Sequence, residues 1–197
     1  MAVLRRLVAG AAVVLSLAAS ASALPVYSSR EQALARAFPP PAKVERKTYF
    51  LTDAEREKAG RAARAKIDSA LVIAYVAKGQ NGPLGTGYFD THNVRTMPET
   101  ILVTVKPDGT LGAVEVVAFG EPEDYLPRRN WLKLFGGRRL DELTVGRGLA
   151  HVTGATLTTR AIADAVRRVL AIHSVVAGRP PLTPTSPRGG EMEKDGP

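Results

Sequence analysis

The chain reads as an α+β domain, with flanking helices laid against a curved antiparallel sheet. Two β-branched runs, "ILVTV" and "LGAVEVVAF", enclose the turn sequence Pro107-Asp108-Gly109. Thr52 and Glu55 have the spacing of a capping box at the start of a polar helix. An apolar stripe of Ile162, Val166, Val169, Leu170, His173 and Val176 follows the i, i+3, i+4, i+7 pattern near the end. Helix, strands and helix follow one another within 197 residues, which predicts one domain.

The first residues, "MAVLRRLVAGAAVVLSLAASASALP", place Arg5 and Arg6 before an apolar run that ends in Ala21-Ser22-Ala23. This is the pattern of an export signal, and it predicts cleavage after Ala23, with residues 1–23 as the leader. A retained membrane anchor is the other reading of the run, which is short against the ~20 apolar residues a spanning helix needs. Behind Ser28 and Ser29, Leu34, Ala37 and Phe38 predict a short helix that "PPPAK" stops. "RKTYFL" is a candidate strand, and a surface helix is expected from about Asp53 to Lys66. "ALVIAYVAK" is a second candidate strand, and the glycine-rich "GPLGTGYFDTHNVR" reads as a flexible connection into an aromatic strand. "PRRNWLKLFGG" starts with a helix-favouring Pro127, stops at Gly136-Gly137, and offers Trp131, Leu132, Leu134 and Phe135 to the core. The domain is expected over residues 24–177, and the Pro-, Gly- and charge-rich residues 178–197 are expected to be disordered.

Composition removes several chemistries. Without cysteine there can be no disulfide, thiolate metal site, lipoprotein acylation or c-type haem attachment. The formal net charge is +8, and loss of the leader takes Arg5 and Arg6 with it, leaving +6. These cations are scattered, so no nucleic-acid partner is expected; the surplus suits a solvated surface and peripheral association with an anionic membrane. His92, His151 and His173 are too dispersed for a metal-ligand spacing, so no metal is expected, and His173 continues an apolar helix face. No Ser-His-Asp order or carboxylate pair points to hydrolysis, so no catalytic residue is assigned. Tyr88 and Trp131 have the rings to cover a flat cofactor but read first as core, and Glu121, Glu123 and Asp124 read as a solvated turn.

The informative stretch is "AHVTGATLTTRAIADAVRRVL", where Thr153, Thr156, Thr158 and Thr159 crowd the start of the last helix. A helix start exposes unpaired amides and the positive end of the dipole, a natural seat for phosphate. One threonine suffices as a cap worth about 1 kcal/mol. Gly154 and Ala155 supply room for a ligand between the hydroxyls of Thr153 and Thr156. The segment resembles the [Ser/Thr]-Gly-Ala-Thr-x-[Thr/Ser]-[Ser/Thr] signature of the FMN-binding domain family, which includes flavin-carrying peripheral subunits of Na⁺-translocating NADH:quinone reductases and Rnf complexes. Pro107-Asp108-Gly109, Glu121-Pro122 and Trp131 to Phe135 followed by Gly136-Gly137 are similar to further family features in the same order. "VYSSREQALARAFP" resembles the start of single-domain exported members, so the similarity spans nearly the whole chain after the leader.

The resemblance implies an FMN-binding domain-like fold, FMN as cofactor, and a seat made by Thr153, Gly154, Ala155, Thr156, Leu157 and Thr158. It implies esterification of the FMN phosphate to Thr156 by a periplasmic flavin transferase, and an exported electron carrier that serves a membrane redox complex or cytochrome. Two departures stand out. Ala150 occupies a position that is usually acidic, which leaves non-covalent FMN open, and "FGEPEDYL" stands where the family usually has ETPGLG. The alternative from another class is a non-redox binding or assembly module of the same fold that loads no flavin; a flavin reductase with its own substrate would need a pocket beside the ring.

Overall fold

The structure is a computed structural model that describes residues 26–143, 149, 152 and 154–182. The expected leader, Ala150, His151, Thr153 and the tail from Thr183 onward lie outside the described residues. Helix α1 (Arg30–Ala37) starts at Ser29, whose side chain accepts from the Gln32 amide while the Gln32 side chain accepts from the Ser29 amide. Helix α2 (Asp53–Ala63) starts with the expected box of Thr52 and Glu55. It ends before Lys66, because Arg64 turns into the left-handed region at φ +51°.

Five strands form one antiparallel sheet: β1 (Lys43–Phe50), β2 (Leu71–Gly79), β3 (Gly82–Asn93), β4 (Pro98–Val105) and β5 (Leu111–Phe119). Their spatial order is their chain order. Register shifts in β2–β3 and at two places in β4–β5 bend the sheet, as bulges do. The fold is therefore α+β, as the sequence predicts. At the β4–β5 turn, Asp108 Oδ1 accepts from the Thr110 amide at 2.9 Å and its hydroxyl at 2.7 Å, while Gly109 takes φ +80°.

The glycine-rich run corrects the sequence reading. It is not a flexible connection, since residues 82–93 are strand throughout. A Cβ on Gly85 would stand 2.5 Å from the Val105 carbonyl oxygen, and one on Gly87 would press on Leu102, Phe38 and Leu34. The glycines permit close packing of β3 against β4 and α1, a constraint set by distant parts of the chain.

The two sheet faces are covered unequally. On one, α2 and the long helix α4 (Thr156–Val176) bury Ile101, Val103, Ile162, Val166 and Leu170 in the main core. On the other, Ala33 of α1 packs with Leu102 and Val117. Between β5 and α4 lie the short helix α3 (Arg129–Leu132) and a 3-10 turn (Lys133–Phe135), which drive Trp131 and Phe135 into the core but leave Leu134 exposed. Burying a ring the size of Phe135 contributes about 1.5–3 kcal/mol. Beyond α4 the chain stays attached: Arg179 binds Glu55 at 2.7 Å, and the Leu182 amide donates to the Thr48 carbonyl at 2.8 Å. Arg179 and Leu182 thus tie the segment after α4 to α2 and β1. Among the described residues no helix is long and apolar enough to cross a membrane.

Candidate functional site

The start of α4 is built from small residues. Gly154 takes φ +86°, in the left-handed region, and a Cβ there would meet nothing within 4 Å. Ala155 is the N-cap residue; its methyl offers no cap hydrogen bond, while its carbonyl accepts the first helical bond from the Thr159 amide at 2.9 Å. The first turn also carries no acidic side chain. Its amides and dipole are thus left without the side-chain acceptor that Ser, Thr or Asp would supply at the cap.

The threonines separate by burial. Thr156 is exposed, and among the described residues its hydroxyl makes a long 3.4 Å hydrogen bond to the Val152 carbonyl. Leu157 beside it is 47% exposed. Thr158 and Thr159 are buried, and the Thr159 hydroxyl donates to the Thr156 carbonyl at 3.1 Å. Gly154, Thr156 and Leu157 therefore face outward, whereas Ala155 and Thr158 point into the protein. The Thr158 backbone amide belongs to the helix start, and its side chain is buried.

The geometry fits a phosphate: uncapped first-turn amides, open space at Gly154, and a nucleophilic hydroxyl at the surface. Residues 97–171 match the family model of the FMN-binding domain. The chain carries an FMN-binding domain. FMN is accordingly its cofactor. No curated protein and no solved structure matches the chain. The matched span of the FMN-binding domain holds β4, β5, α3 and α4 as far as Ala171, while α1, α2 and β1 to β3 lie outside it.

Other candidates sort out differently. Tyr88 and Trp131 are core residues, 4% and 6% exposed. The Tyr88 hydroxyl lies 2.8 Å from His173 Nδ1. Burial lowers the His173 pKa and raises that of Tyr88, so both groups are held neutral and share this hydrogen bond, its direction set by the imidazole tautomer. Glu121 is not part of a solvated turn. It is 8% exposed and accepts from the Thr96 and Met97 amides at 2.9 and 3.0 Å, which hold its carboxyl below the usual range and brace the β3–β4 turn. Glu123 receives a long 3.5 Å hydrogen bond from the Tyr27 hydroxyl.

A polar network beneath α4 escapes the sequence reading. His92 lies with Nδ1 2.9 Å from Asp90 Oδ1 and Nε2 3.1 Å from Glu99 Oε2, and Arg168 of α4 reaches Asp90 at 2.9 Å. Burial disfavours charge on His92, but the two carboxylates outweigh it and raise its pKa. Burial likewise opposes ionisation of Asp90, yet His92 and Arg168 hold its pKa down. At Glu99, 0% exposed and with Oε1 lacking a hydrogen-bond partner among the described residues, burial prevails and the pKa rises. The sequence signal was present: Asp90 and His92 share a strand face at period two, and Glu99 is the cross-strand partner of His92.

Proposed function

We propose that the protein is an exported electron carrier whose FMN phosphate is esterified to Thr156. The observation that supports this reading is the open start of α4, where an exposed threonine follows the unoccupied cap position of Ala155. A phosphodiester there keeps one negative charge, and the first-turn amides and dipole stabilise it by about 0.3–1 kcal/mol for the dipole alone. Gly154 leaves room for the phosphate, and Leu157 offers an apolar surface beside it. Thr153, which precedes Gly154, is the remaining hydroxyl of the expected seat.

Thr156 Oγ1 would hold the flavin through a phosphoester: its attack on the phosphorus of a flavin phosphoanhydride would form the O–P bond as the anhydride bond breaks, the nucleotide would leave with that bonding pair, and the hydroxyl proton would pass to a base of the transferase. Thr156 then ceases to donate to Val152, at little cost because that bond is already long. Bound flavin supplies the redox chemistry, and the protein fixes its attachment and exposure. The partner in turnover is a membrane redox complex or cytochrome outside the cytoplasm.

Co-production with a flavin transferase tests the assignment. The expected product is a fluorescent band that survives denaturing electrophoresis and disappears in Thr156→Ala. Yellow native protein with a dark denatured band means non-covalent FMN. Protein that stays colourless with ample flavin and transferase refutes the carrier and favours a non-redox module.

A further inference from the structure

We propose that the cavity beside β5 binds an anionic amphiphile, its carboxylate or phosphate held by Arg129 and Lys133 and its apolar body laid along Val114, Val116, Leu126 and Leu132. The cavity measures about 710 Å³ and lies between β5, α3 and the N-terminal segment carrying Tyr27 and Arg36. That volume falls within the range of small-molecule sites. Val114, Val116, Leu126, Pro127 and Leu132 give it an apolar wall, and its charges are three cations against one carboxylate, Glu115.

The carboxylate is already committed. Arg36 grips Glu115 through Nε at 3.2 Å and through a second, shorter contact from Nη2. Arg129 and Lys133 remain, and neither forms an ion pair with another described residue. They belong to "PRRNWLKLFGGRRL", residues 127–140, which holds five cations and no acid. Four residues apart across α3 and its 3-10 continuation, they line the same cavity and can share one anion. A cation would be repelled here and a neutral apolar ligand would leave both charges idle. An apolar slot with a cationic rim matches a molecule with one apolar and one acidic part.

The strand edge explains why the space stays open. β5 is an edge strand, covered at one end where the Tyr27 amide donates to the Val117 carbonyl and at the other where Leu111 exchanges hydrogen bonds with Gly137 and Arg138. Residues 112–116 between these contacts line the cavity. Tyr27 and Arg36 lie outside the matched FMN-binding span, so this pocket is shaped partly by residues beyond that span. The ligand could be a free acid or a lipid headgroup with its chain, and the shared chemistry is the same.

The test uses the full FMN-loaded chain with two probes: decanoate by calorimetry, and co-sedimentation with phosphatidylglycerol or phosphatidylcholine vesicles. Saturable binding of decanoate, or of phosphatidylglycerol but not phosphatidylcholine vesicles, is expected, and the active probe names the source. Arg129→Gln/Lys133→Gln should weaken it about tenfold or more. Lys58→Gln/Lys106→Gln removes the same charge elsewhere and should leave it within about twofold. Retained FMN loading and circular dichroism establish that both variants fold. No saturable binding, equal loss in the two double variants, or a decanoate site present only before FMN loading overturns the proposal; the last would make the cavity the flavin's own.

Discussion

Helices α1 and α2 begin in one way and α4 in another. Ser29 with Gln32, and Thr52 with Glu55, close reciprocal capping boxes over their first turns. At α4, with far more hydroxyl available in sequence, the N-cap residue is an alanine and no side-chain cap is made. The two shorter helices thus satisfy their own starts, while α4, which carries the candidate site, makes no side-chain cap at its start. What replaces the cap is lateral packing: Ile162, Ala165 and Val166 are 0% exposed, Arg168 is bound to Asp90, and His173 is bound to Tyr88. The described threonines do not duplicate a cap. Thr156 is exposed, and Thr158 and Thr159 fill space beneath the first turn.

The largest effect should come from breaking that lateral support. His92→Ala strips a partner from both Asp90 and Glu99, and removing one member of a buried charged set costs about 3 kcal/mol or more. Urea unfolding of the apo-protein measures this directly. Linkage gives the same network a pH signature. The raised pKa values of His92 and Glu99 stabilise the fold when these groups are protonated, so stability declines as pH rises from about 4.3 for Glu99 and from about 6.5 for His92. The lowered pKa of Asp90 acts oppositely, and its contribution fades as pH falls below about 3.9. The melting temperature should therefore peak in mild acid. Glu99→Gln should flatten its decline above neutrality; an unchanged profile would show that the network does not control it.

Next in size is Gly154→Val, which places a β-branched side chain at φ +86°. The strain is about 1–3 kcal/mol, and the added bulk enters the space left open for phosphate. Flavin loading should fall much further than stability, a split visible by comparing fluorescence per chain with the unfolding midpoint. Equal losses would mean that Gly154 serves only the backbone.

How far the sequence carried the fold depended on the range of each cause. Thr52–Glu55 and Pro107–Gly109 were legible because their stabilising partners lie within three residues. The strand character of residues 82–93 was hidden because Gly85 answers to Val105, and Gly87 to Leu34 and Phe38. Glu121 looked like a turn residue since its two amide donors are 25 and 24 positions away. At the site, the motif located the helix start and Thr156, but burial of Thr158 follows from how α4 rolls onto the sheet, which no local pattern records.

A smaller effect tests the capped side of the comparison. Thr52→Ala should cost about 1 kcal/mol, the usual loss when a good cap is removed. It should leave flavin loading unchanged, because α2 lies outside the matched FMN-binding span.

The smallest change asks whether α4 gains from a cap at all. Ala155→Ser adds a single oxygen at the N-cap and lets it accept from a first-turn amide. The apo-protein should gain a few tenths of a kcal/mol, less than a well-formed cap gives, because Ala155 sits at φ −120° and ψ 27° and is 3% exposed. That hydroxyl competes with phosphate for the same donors, so FMN should load more slowly even as the empty protein becomes more stable. Opposite signs in the unfolding midpoint and the loading rate would show that the open helix start serves the ligand at the fold's expense. A serine that raised both would return α4 to the same class as α1 and α2.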